Sequence, residues 1–273
     1  MGIDTIINWP CEPKAALSTE EILTLLKGRR RAYMTIAAER ARGSTQPVEE
    51  MMLRLSLNDP LNNVSSSEIR VVELLREAEI LDQYAAHCEE CPVNRHRYGS
   101  IPPEYACIGY LPFPFSQESE RWLLEKLPDA DELPYFIMFH RVTRTASITG
   151  EKAAELREKS GRYFESDQYL IREFENGWTF NSDQAFQSLF LMGHIKPLHG
   201  ILMLMFYNAM PRRFPLAPVD ELKQMVDIEN LIKKRPFAFE PSDDDDESVG
   251  ALKAFFHSLY MAYGLNVDLL LAL

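Results

Sequence analysis

Three of the chain's four cysteines fall in one short window, Cys88, Cys91 and Cys107, and the fourth, Cys11, lies far upstream. The window reads HCEECPVNRHRYGSIPPEYACIGY from His87 to Tyr110, a Cys-x2-Cys pair and a third cysteine after fifteen intervening residues. That spacing suits a metal clip. Two thiols separated by two residues can fold back on one ion as a tight knuckle, and the long loop lets Cys107 approach from the other side. Zinc wants four ligands in a tetrahedron. Cys11, with Pro10 and Pro13 around it, is the expected fourth, and His96 on the free loop is its substitute; His87 adjoins Cys88, which makes joint ligation awkward. Arg95, His96 and Arg97 could offset the charge of a thiolate-bound ion or donate hydrogen bonds to sulfur. Zinc leads, and an iron–sulfur cluster stays open, because thiolate ligation alone does not discriminate the two.

Other chemistries at the same residues fare worse. A thioredoxin-like dithiol sits at a helix N-terminus, where the dipole lowers the thiol pKa. Here Cys88 follows a predicted helix, and Glu89 and Glu90 lie between the cysteines, so the local electrostatics oppose a thiolate. A zinc deaminase needs a separate Pro-Cys-x-x-Cys after its His-x-Glu, whereas the pair here begins inside His87-Cys88-Glu89, which excludes that signature. The plain alternative is a set of buried thiols, since free cysteine is among the most buried residue types.

Elsewhere the sequence offers little. His194 and His199 flank Lys196-Pro197, but their spacing does not put them on one helical face and no His-Glu-x-x-His pattern is present. His140 follows the apolar stretch Phe136–Phe139 and reads as a core histidine. There is no Gly-x-Ser-x-Gly elbow, P-loop or Gly-x-Gly-x-x-Gly fingerprint, and twelve glycines leave little material for a phosphate cradle. Tyr105, Tyr110, Phe113 and Phe115, interleaved with Pro102, Pro103, Pro112 and Pro114, have two readings. They pack the loop onto the domain, or they form an exposed ridge for a protein partner.

The chain's 273 residues, 46% apolar and 26% charged, are ordinary globular material and can bury a substantial core. A net charge of −12 disfavours broad contact with nucleic acid or anionic lipid. The run Arg29, Arg30, Arg31 is the exception, read as a solvated helix end. The opening MGIDTIINWPCEP lacks the n- and h-regions of a leader, and the apolar stretches at 201–207 and 267–273 are too short for a bilayer. The expectation is a cytoplasmic protein without membrane contact, whose cysteines are free thiols or ligands rather than disulfides.

These residues need elements to hold them. The segment to Ala16 reads as irregular, and Ser18-x-x-Glu21 caps a short helix ending at Gly28. Ala32–Glu39 and Met51–Leu57 read as strands joined by ARGSTQP. Ser65-x-x-Glu68 opens a helix from Ser66 to His87, with Val71, Leu74, Leu75, Ala78, Leu81 and Ala85 as its stripe. An irregular loop from Pro92 to Pro114 follows, then a helix capped by Ser116. Next come helical pieces around Thr149-Gly150, a hairpin at Asn176-Gly177, and helices from Ser182, Pro197 and Val219. The acidic run Asp243–Glu247 reads as a surface loop before a helix from Val249 to Tyr263, and residues 267–273 read as a buried strand.

Together these give a helix-dominated α+β fold with a small antiparallel sheet. It is expected as one domain, 1–273, with a possible subdivision near 130–150 and the cysteine loop at 87–115. The leading functional expectation is a non-enzymatic cytoplasmic protein in which zinc on Cys11, Cys88, Cys91 and Cys107 shapes a loop for a protein partner. The competing one is a metal-dependent or redox-active protein with an iron–sulfur or dithiol centre at the same cysteines.

Overall fold

The computed structural model describes residues 2–58, 64–99, 101, 104–159, 161–212 and 227–272. The chain begins with β1 (Gly2–Ile7), α1 (Glu12–Leu17), α2 (Thr19–Ala41), β2 (Met52–Asn58), β3 (Val64–Arg70), α3 (Val71–Glu77), α4 (Ile80–Ala85) and α5 (Pro92–Arg95). It continues with β4 (Ile108–Pro112), α6 (Gln117–Glu125), α7 (Leu133–Thr145), α8 (Glu151–Arg157), β5 (Ile171–Glu173), β6 (Thr179–Asn181) and α9 (Ser182–Phe190). β7 (His194–Ile195), α10 (Pro197–Phe206), the helices Ile228–Lys234 and Glu247–Gly264, and β8 (Leu269–Ala272) follow. Helix far exceeds strand among the described residues, and every ladder between the described strands is antiparallel, so this is a helix-dominated α+β fold.

Two compact units emerge, one of Met1–Trp9, His96–Pro102 and Ala106–Leu273, the other of Pro10–Arg95 and Pro103–Tyr105. The first is built on a four-stranded sheet in the order β4-β1-β8-β7. β1 lies inside this sheet and is buried from Ile3 to Ile7, Asp4 and Thr5 included. This corrects the expected irregular start, and β4 likewise replaces part of the expected irregular loop. A strand covered on both faces shows no in–out alternation for the eye to find. The two strands also approach closely: a Cβ on Gly109 of β4 would stand 2.5 Å from the Thr5 hydroxyl, so only glycine fits. The helix Glu247–Gly264 carries Leu252, Phe255, Phe256, Leu259, Tyr260 and Tyr263 into the core at helical spacing, as its sequence predicts.

The acidic run is the expected surface loop and does set negative charge at the next helix's N-terminus, but it is bonded in place. Asp246 accepts hydrogen bonds from the N–H groups of Ser248 (2.9 Å) and Val249 (3.3 Å) and from the Ser116 hydroxyl (2.6 Å). Ser116 in turn caps α6 by accepting from Ser119 N–H. Asp245 pairs with Lys253 at 2.6 Å. One short acidic segment therefore ties two helix starts together.

In the second unit the expected strand Ala32–Glu39 is helical, and α2 runs through Gly28 without a break. Ser18 does cap it, its hydroxyl accepting from Glu21 N–H. β2 therefore pairs with β3 instead, from Met52↔Arg70 to Asn58↔Val64. The Ser65-x-x-Glu68 cap is consequently absent: those residues are strand, and helix begins at Val71. Val71, Ala78 and Leu81 of the predicted stripe are buried, and Val71 packs with Ala32 and Met51. The expected helix from Val219 lies partly outside the described residues; Ile228–Lys234 is its described portion.

Candidate functional site

The cysteine pair takes its shape from two successive turns. α4 gives way to a 3-10 turn, Ala86–Cys88, and Cys91 N–H donates to the Cys88 carbonyl at 3.2 Å. The Cys91 carbonyl then accepts from Asn94 (2.9 Å) and Arg95 (3.2 Å), which opens α5 at Pro92. Cys11 stands just before α1, its carbonyl accepting from Ala15 N–H at 3.1 Å. Cys88 is buried, while Cys11 and Cys91 are half-buried.

Around Cys88 the second unit assembles an electrostatic neighbourhood. Burial pushes its thiol pKa up, the Tyr105 backbone N–H donates to the sulfur and opposes that, and charge on Cys91, Cys11 and Glu104 raises it again. Tyr105 is held there from two sides. Its hydroxyl donates to the Leu81 carbonyl at 2.8 Å, and its backbone sits in the left-handed region at φ 58°. Burial, then charge on Cys88, pushes the Tyr105 phenol up as well. Sequence reading treats Tyr105 as packing or ridge; its role as a donor to sulfur arises from backbone conformation, which no motif encodes.

The other predicted ligands stand in the first unit. Cys107 is buried before β4, and its carbonyl accepts from Ile7 N–H at 2.9 Å. His96 Nε2 lies 3.3 Å from Glu229 Oε1. In the second unit, His87 Nδ1 is 3.1 Å from Glu12 Oε2. None of the four cysteines forms a disulfide. Among the described residues, no three cysteine or histidine ligand atoms come within 4.8 Å of one another; only Asp129, Asp131 and Glu132 do. Asp129 is bound by Arg172 and Glu132 by Arg212, so guanidinium groups already meet that acidic cluster.

The aromatic run packs rather than protrudes. Tyr105 and Phe115 are buried, and Phe113 lies against Phe115, Tyr163 and Phe186. His194 and His199 are exposed, while His140 stacks on Phe136 and meets Trp178 edge-on at 4.7 Å. No helix among the described residues is long and apolar enough to cross a membrane. The chain matches no protein-family model, no curated protein and no solved structure.

Proposed function

We propose that this is a non-enzymatic protein whose second unit takes one zinc ion on Cys11, Cys88 and Cys91, with water completing the tetrahedron, and that the ion fixes the backbone around Cys88 and Tyr105. The reading is supported by the turn in which the Cys91 N–H donates to the Cys88 carbonyl at 3.2 Å, with the Tyr105 N–H on the Cys88 sulfur and Cys11 near enough to bear on that thiol. Zinc displaces the thiol protons, and its two positive charges then offset those of the thiolates. A backbone N–H on a ligand sulfur is the kind of outer contact that orients a metal-bound thiolate. Soft thiolates favour zinc over magnesium or calcium. The free thiols stand too far apart in threes to coordinate at once, so binding draws them together. Cys107 and His96 belong to the other unit and take no part in the proposal. A reducing compartment such as the cytoplasm keeps the thiols available.

A redox role draws nothing from this geometry, because burial raises the Cys88 pKa where a reactive thiol needs it lowered. Zinc titration of metal-free protein under anaerobic conditions tests the proposal. One equivalent should bind, with Cys88→Ser and Cys91→Ser each lowering affinity at least about tenfold, as loss of a ligand thiolate should. Equal binding by all three proteins would refute it.

A further inference from the structure

α2 carries apolar residues on two opposite sides. Its inner side holds Ala32, which is buried, and Ile36, packed on the cluster of Ala32, Met51 and Val71. Its outer side presents Tyr33, Met34, Ala37, Ala38 and Ala41, which at spacings of three and four share one exposed stripe. Tyr33 is 59% exposed and Met34 64%, so two large side chains stand in solvent on neighbouring positions. A helix whose partners are all inside its own fold has no use for a second apolar stripe.

The charges around the stripe say what fits it. Lys27, Arg30, Arg31, Arg40 and Arg42 surround it, Arg40 donating to the Ser44 carbonyl at 2.8 Å and Arg42 to Glu39 at 2.9 Å. This is a cationic strip on a chain of net charge −12. A second copy of α2 is a poor occupant, since antiparallel pairing sets Arg30 and Arg31 against Arg40 and Arg42, and parallel pairing sets each against itself. An extended polyanion such as duplex DNA or an anionic bilayer must also meet the acidic surface beyond the helix.

We propose that the outer face of α2 docks an acidic amphipathic helix of another protein, its apolar side chains on Tyr33 and Met34 and its carboxylates on the surrounding arginines. The test uses the full chain and fluorescently labelled 18-residue helical peptides with one leucine face flanked by glutamates, or by lysines as the control. The glutamate peptide should bind and its lysine twin should not. Binding should weaken at least about tenfold in the double variant Tyr33→Ala with Met34→Ala, and by a similar factor in Arg30→Glu with Arg31→Glu. Raising salt should weaken it too. Circular dichroism of both variants should match the parent, because all four positions are exposed. The proposal is overturned if the glutamate peptide fails to bind, or binds both variants as well as the parent. It is equally overturned if phosphatidylserine vesicles or a DNA duplex bind in its place, or if the chain self-associates through this face in ultracentrifugation.

Discussion

His257 sits among rings, with the centroids of Tyr98 and Phe237 each 5.2 Å away, and burial followed by the nearby charge of His96 lowers its pKa to about 4. An unfolded histidine titrates near 6.5, so between those values the unfolded chain holds a proton that the folded chain refuses. Stability present above pH 6.5 is therefore lost as pH falls toward 4, by on the order of 3 kcal/mol. Urea unfolding of His257→Phe at pH 7 and 4.5 checks this; a decline as steep as in the parent would rule the residue out as its source. Arg157 presents a second residue-scale case. It is buried, donates to Asp183 at 2.7 Å and to Glu120, gives a further bond to the Ser166 carbonyl at 2.8 Å, and lies 3.9 Å over the Phe164 ring. Arg157→Met leaves two buried carboxylates without their cation and should cost about 3–5 kcal/mol in a denaturant melt. A loss below about 1 kcal/mol would show that the acids rehydrate or protonate freely. Nothing in the sequence announces this cluster, because Glu120, Arg157 and Asp183 come from three helices far apart in the chain.

At the scale of elements, Asp246 should matter more than its place in an acidic run suggests. Asp246→Ala removes the cap of Glu247–Gly264 and a bond to Ser116, and should destabilise the first unit by about 1–2 kcal/mol. An unchanged unfolding midpoint would mean that the run is only a solvated loop. The same helix was legible in advance because its apolar residues recur at one helical spacing. The hairpin was legible from Asn176-Gly177, where Gly177 takes φ 76°. The second half of α2 was hidden because Tyr33, Met34 and Ile36 give it apolar residues on both sides, so no single stripe marks the helix and a strand reads equally well. With Ala32–Glu39 read as a strand, β2 acquired a false partner, and β3 was lost to an apparent cap at Ser65.

Over the whole molecule, the fold class was readable from composition and periodicity, while the assembly of β1, β4, β7 and β8 into one sheet was not. Such pairings join the two ends of the chain, and local patterns carry no information about them. The candidate site was legible only in part: the Cys-x2-Cys turn could be expected from spacing, whereas the Tyr105 donor could not. On the proposed zinc site, chelation should open the segment 88–95 to protease while the first unit keeps its helical signal, and resistance that survives metal loss would show that no ion holds that backbone. The most direct measurement is the metal content of protein purified anaerobically without added metal, for the parent and for Cys88→Ser, with the visible absorption spectrum of each. The expected result is one colourless zinc per parent chain and almost none in the variant. Iron with sulfide-type absorption, no metal at all, or zinc retained by Cys88→Ser would contradict it.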